Sequence, residues 1–126
     1  MTDLVTISLQ GVPPSKNART RFNRRSGVIY TAGAVRAWME ATALQVRLAR
    51  KATWQPGMEM VVVVQFVCQD MHAWDLDGAL PCLMDAVCAG LMPADRKRPP
   101  DEYVVELTAR KVRGNADVTS VSVKAV

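Results

Sequence analysis

The residues best suited to chemistry are two aspartates separated by a single leucine, Asp75-Leu76-Asp77. In an extended segment alternate side chains point the same way, so this spacing aims both carboxylates at one spot. Two carboxylates a few ångströms apart repel each other and raise one pKa unless a cation lies between them. Their hard oxygens suit Mg²⁺ or Mn²⁺, which accept one or two carboxylates together with waters and substrate phosphate. The alternative is structural: Asp77 caps a following helix while Asp75 is solvated. Asp95, in Pro93-Ala94-Asp95-Arg96, is a third candidate acid and equally reads as a surface turn residue. A helix of about 12 residues is about 18 Å long, so the chain must fold back after it for Asp95 to meet the pair. Asp85 lies off the apolar stripe of that helix and reads as a solvated or salt-bridged residue.

A second constellation is basic. Lys16, Arg19, Arg21, Arg24 and Arg25 fall within ten residues with no acid between them, interleaved with Ser15, Asn17, Phe22 and Asn23. Loops of this composition contact phosphate backbones, so the segment reads as a nucleic-acid contact beside the alternative of a solvated face. Arg96 and Lys97, directly after Asp95, suit phosphates next to a metal site or form a solvated charge run. His72 and Trp74 precede the aspartate pair; the first reads as a loop histidine and the second as a cover for the core edge.

These residues sit in a chain of 126 residues, 49% apolar and 22% charged, with a formal charge of +4. That size suits one domain, residues 1–126, with enough buried surface for a core without disulfides. The charge is uneven: through residue 51 there are nine basic residues and two acids, whereas residues 52–126 carry seven basic residues and ten acids. The asymmetry suggests a polyanion gripped by one region and worked on by another. No apolar run approaches 18 residues and no signal peptide is apparent, so neither membrane nor export is expected. Cys68, Cys82 and Cys88 are an odd count without a C-x-x-C pair, which fits free thiols in the cytoplasm better than disulfides or zinc. One histidine, His72, disfavours a His-rich metal site or a Ser-His-Asp arrangement. Nothing suggests a small organic cofactor.

The elements that must position the site follow from periodicity. Val5, Ile7 and Leu9 alternate as a strand that Gly11-Val12-Pro13-Pro14-Ser15 ends, because proline offers no N–H to a ladder. Residues 15–30 read as a basic loop or ragged hairpin with Ser26-Gly27 at its tip. Thr31 is placed to cap a helix running to about Lys51. That helix has one apolar stripe through Val35, Trp38, Met39, Thr42, Val46 and Ala49 and a second through Ala37, Ala41, Leu44 and Leu48, which predicts burial over most of its circumference. Met58–Cys68 is apolar on both faces and is expected to be a central strand covered on both sides. Leu80, Leu83, Met84, Val87, Cys88 and Leu91 define a one-sided helix with Gly90 as its stop. Glu102–Arg110 and Val118–Ala125 alternate as strands, the first with Tyr103, Val105, Leu107 and Ala109 on one face. The order β-loop-α-β-α-β-β predicts an α+β (mixed α/β) domain: a mixed sheet of four to five strands with two packed helices.

Taken together these segments resemble the RusA-type Holliday junction resolvases, small endonucleases often encoded in prophages. The likeness rests on Gly11-Val12-Pro13-Pro14-Ser15-Lys16-Asn17 followed by arginines, on Asp75-Leu76-Asp77 with Leu83-Met84-Asp85-Ala86 after it, and on Gly90-Leu91-Met92-Pro93-Ala94-Asp95. It spans nearly the whole chain, and the order and spacing carry it more than any single motif. The resemblance implies a homodimer that binds four-way DNA junctions and makes paired symmetric nicks with Mg²⁺ or Mn²⁺, in recombination and repair. It implies that Asp75, Asp77 and Asp95 are the metal-binding acids. The chain departs from the pattern in two ways. Gly78 and Pro81 stand where the family usually has asparagine and lysine, and Met71-His72-Ala73-Trp74 stands where it can carry arginines. Proline cannot donate a proton or stabilise a phosphorane, so a junction-binding protein without catalysis is the alternative expectation.

Overall fold

Alternation builds the sheet. The computed structural model describes residues 1–15, 20–93 and 100–126, with backbone only at 20, 21 and 28–31. Its elements are β1 (Thr2–Gln10), β2 (Thr20–Asn23), β3 (Val28–Thr31), α1 (Gly33–Ala49), β4 (Met60–Cys68), α2 (Leu76–Leu91), a 3₁₀ turn (Asp101–Tyr103), β5 (Val104–Arg113) and β6 (Val118–Ala125). The main sheet has the order β1-β6-β4-β5, and β2 and β3 form a separate two-stranded hairpin. β6 is antiparallel to both β1 and β4, while β4 and β5 are parallel. β1, β4 and β5 therefore all run one way and deliver their C-terminal ends to one edge of the sheet. This is an α+β domain with a mixed sheet and two helices.

One face of the sheet carries the core. Val5, Ile7 and Leu9 of β1, Val121 and Val123 of β6, and Met60, Val62, Val64 and Phe66 of β4 are buried together with Leu83, Val87 and Leu91 of α2 and Val46 of α1. β4 is central in pairing, as its composition predicts, but among the described residues it is covered on one face only. Val63, on the other face, is 47% exposed. Both helices pack on the same side, and the valines of the second face reflect β propensity in place of a second covering layer.

β5 departs from simple alternation. Its ladder with β4 skips a residue: Met60 pairs with Val104 and Val61 with Glu106. The extra residue, Val105, is a bulge that shifts the parity of the strand. Leu107, Ala109 and Lys111 thus follow Val62, Val64 and Phe66 on the helix side, and Val105 does not share their alternation.

α1 and α2 meet at Gly90. A Cβ there would lie 2.5 Å from the Val46 Cβ and 2.6 Å from the Ala43 carbonyl oxygen, so only glycine permits this approach. Gly90 is a contact residue inside α2 rather than its stop. The helix end is held from outside: the Arg50 guanidinium donates to the carbonyls of Gly90 (2.9 Å) and Met92 (3.0 Å). A cation at a helix C-terminus satisfies orphan carbonyls and opposes the negative end of the macrodipole. Part of the basic charge through residue 51 is thus structural: Arg50 closes α2, and Lys51 lies 3.8 Å from the Asp3 carboxylate.

α1 begins at Gly33, after Ala32, and Thr31 belongs to β3 instead of capping the helix. Its first stripe is buried through Val35, Thr42 and Val46. The second stripe is not, contrary to the expectation of burial on most sides: Leu44 is 51% and Leu48 79% exposed. Among the described residues no helix is long and apolar enough to cross a membrane.

Candidate functional site

The aspartate pair lies where β4 hands over to α2. Residues 69–75 connect them, and Asp75 occupies the N-cap position with extended backbone (φ −98°, ψ 146°). α2 starts at Leu76, so Asp77 is in the first helical turn, where the positive end of the macrodipole favours a carboxylate. This corrects two expectations. The pair is not wholly extended, and the capping position falls to Asp75 instead of Asp77. The Asp75 carboxylate makes no capping hydrogen bond among the described residues. Pro81 falls inside the helix, so the backbone there offers no N–H to the Asp77 carbonyl one turn before it.

Both carboxylates are exposed, and both line one pocket of about 240 Å³. Trp74, Gly78 and Ala79 form one wall, and Pro13 and Ser15 of the segment leaving β1 form the other. Gly78 fits closely here: a Cβ on it would lie 3.7 Å from the Ser15 hydroxyl oxygen. The parallel course of β1 and β4 explains the meeting, because the loops leaving their C-terminal ends emerge at the same edge. The start of the basic segment is thereby set against the acids, although some 60 residues separate them in sequence.

The acidic loop is tied down by residues that spacing does not reveal. The Lys111 ammonium, at the end of β5, donates to the carbonyls of Met71 (2.9 Å) and Trp74 and sits 4.3 Å from the centre of the Trp74 ring. Trp74 in turn packs edge-on against Phe66, with ring centroids 4.9 Å apart, which matches its expected role at the core edge. The Asp117 carboxylate accepts from the Gln69 amide N–H (2.9 Å), and the Asp70 carboxylate accepts from the His72 N–H (2.9 Å). The His72 side chain is exposed. Lys111→Met is expected to slow any reaction at the pocket by about 10- to 100-fold, the usual cost of losing a group that orients first-line residues. Faster amide exchange confined to residues 70–75 would accompany it.

Of the other sequence-selected residues, Arg24 and Arg25 lie exposed at the tip of the β2–β3 hairpin. Asn23 shapes that tip by accepting from the N–H of Arg25 (2.9 Å), and Gly27 takes the left-handed φ of 71° that the turn requires. The hairpin reading of this segment, with its tip at Ser26-Gly27, agrees with the fold. Phe22 beside it is 60% exposed. Lys16, Asn17, Arg19, Asp95, Arg96 and Lys97 lie outside the described residues, as does the Arg21 side chain. Met92, three residues before Asp95, stands at the opposite end of α2 from Asp75, about 24 Å away for a helix of 16 residues. Among the described residues no cluster of three acids, histidines or cysteines is present.

Two exposed carboxylates at a pocket mouth fit a hard divalent cation that completes its shell with water and phosphate oxygens. The thiols do not take part, since Cys68, Cys82 and Cys88 are all buried. Burial, helped by the charges of Asp101, Asp85 and Glu102, pushes the Cys88 thiol up to about 12. The fold thus binds this proton more tightly than the unfolded chain does. The contribution of this thiol to stability is full below about pH 9 and is lost, by up to about 1.4 kcal/mol per pH unit, as pH rises toward 12. Denaturation curves from pH 8 to 11 are expected to show a shallower decline for Cys88→Ala than for the parent chain.

No protein-family model matches the chain, and no curated protein matches it significantly.

Proposed function

We propose that this protein is a structure-selective endodeoxyribonuclease that resolves four-way DNA junctions in recombination and repair. It would act in the cytoplasm as a homodimer, hydrolysing phosphodiester bonds at two symmetric positions with Mg²⁺ or Mn²⁺. The observation that carries this reading is the pocket in which Asp75 and Asp77 face Pro13 and Ser15, the entrance to the basic segment. It supports a site where phosphate and acid-held cation meet. The resemblance to RusA-type resolvases across the same segments supports the choice of substrate.

In this reading Asp75 and Asp77 hold the cation, with Asp95 as the third acid. Such an ion polarises a scissile phosphate and lowers the pKa of water. Lys16, Asn17, Arg19, Arg21, Arg24, Arg25, Arg96 and Lys97 bind the DNA backbone. Lys111 fixes the loop that presents the acids. Two-fold protein symmetry matches paired cuts in a two-fold junction.

A synthetic four-way junction with labelled strands tests the proposal. Symmetric nicks that need Mg²⁺ or Mn²⁺ are expected, with binding that weakens steeply as salt rises. Metal-independent cleavage, or no binding at low salt, would sink it. Pro81 favours a second reading, a junction-binding protein without catalysis, because proline supplies no cation at the position where the resembled family has lysine. Salt-sensitive junction binding without nicks under any metal would select that reading.

A further inference from the structure

The outward side of α1 is apolar, and its residues have a definite geometry. Ala37, Ala41, Leu44 and Leu48 are all exposed and lie directly opposite the buried stripe of Val35, Thr42 and Val46. Their spacing of four, three and four residues is that of a coiled-coil seam. The ridge therefore runs nearly straight along a helix about 25 Å long, given its 17 residues. A solvated helix has no need of two leucines there, at 51% and 79% exposure.

We propose that this ridge is where two copies of the chain pair, α1 against α1 in antiparallel orientation. The inference rests on the homodimer part of the reading above and names the surface that forms it. Two features select a second copy as the occupant. The first is size matching: an antiparallel two-fold sets Ala37 opposite the partner's Leu48 and Ala41 opposite the partner's Leu44. Each large side chain then meets a small one at every step, whereas a parallel pair stacks leucine on leucine and alanine on alanine. The second is charge. Glu40 and Arg47, both exposed, flank the ridge on the same side one heptad apart. Around the same two-fold, Glu40 of one copy meets Arg47 of the other, and the symmetry repeats the pair. An isologous interface requires such self-complementarity. A nucleic acid offers an apolar ridge nothing comparable.

Molecular mass in solution, measured by light scattering on the full chain, tests this directly. The parent is expected to be a dimer, and Leu44→Glu with Leu48→Glu a folded monomer by circular dichroism. Glu40→Arg alone is expected to weaken the dimer at least about tenfold, the effect of 1.4 kcal/mol, and Glu40→Arg with Arg47→Glu to restore it. Ala41→Cys with Leu44→Cys is expected to give a covalent dimer on mild oxidation, since the native cysteines are buried. A parent dimer that survives the double glutamate substitution and gives no covalent dimer would overturn this interface while leaving the homodimer standing. A parent that stays monomeric at high concentration would overturn both. Because the readout is mass, the presence or absence of nicking bears only on the proposed chemistry.

Discussion

Asp77→Asn is expected to abolish metal-dependent nicking of a four-way junction while leaving junction binding within a few-fold of the parent. Asp77 lies in the first turn of α2 on the wall of the pocket it shares with Asp75, and it is exposed. Asparagine keeps the shape and one oxygen but removes the charge that attracts a divalent cation. Loss of a group that merely orients a metal ligand costs about 10- to 100-fold, so loss of the ligand's charge should exceed that. The phosphate contacts assigned to the basic segment are untouched, so affinity and its salt dependence should persist. Junction nicking in Mg²⁺ and Mn²⁺, with binding followed by mobility shift, checks both halves. Full activity in the variant would remove Asp77 from the site. Loss of binding together with activity would point to a folding defect, which a thermal melt identifies.

Trp54→Ala is expected to be the most destabilising single substitution proposed for this chain, at about 3–5 kcal/mol for a fully buried large aromatic. Trp54 is completely buried, and its ring lies 5.1 Å from that of Tyr103. Its indole N–H donates to the Met58 carbonyl at 2.7 Å, and its backbone N–H donates to the Leu91 carbonyl at 2.8 Å. One residue therefore joins the turn before β4, the end of α2 and the turn before β5. Alanine leaves a cavity and an unpaired carbonyl. A chain of 126 residues has about 6–19 kcal/mol of total stability, so the loss is a large part of it. Urea titration should show a lower midpoint with unchanged slope. Trp54→Phe should lose less, because it keeps a six-membered ring in the core and forfeits only the smaller ring with its N–H.

The strands were legible because alternation reports burial directly. Residues 118–125 are a case in which bounds and buried face both agree with the pattern, with Thr119, Val121, Val123 and Ala125 inward. β5 was less legible, since a bulge at Val105 changes which residues share a face and no local signal marks it. The start of α2 is less legible, because its apolar stripe begins only at Leu80. Gly78 and Pro81 are poor helix formers and mask a start at Leu76, although Asp75 is a good N-cap residue. For the site, Asp75 and Asp77 were visible as a pair, but their contact with Pro13 and Ser15 depends on strand direction. Lys111 gave one overlooked sign: it occupies the same face as Leu107 and Ala109, where a lysine is out of place unless something accepts its charge. The exposure of the α1 ridge is not legible at all, because apolar periodicity marks a face that seeks a partner and does not say whether that partner is in the same chain.

The pairing of β1 with β6 has a consequence for how the molecule is made. Among the described residues β1 has no other neighbour in the sheet, and its ladder runs from Thr2 against Ala125 to Gln10 against Val118. During synthesis the first strand must wait, unpaired, until the last has left the ribosome. The helices and the β2–β3 hairpin can form from local contacts in the meantime, but the edge where the segments leaving β1 and β4 meet cannot. Non-local closure of this kind slows folding and leaves an apolar strand exposed on the nascent chain. The pocket is thus a late product of folding: a chain stalled before residue 118 would carry Pro13, Ser15, Asp75 and Asp77 and still lack the framework that brings them together.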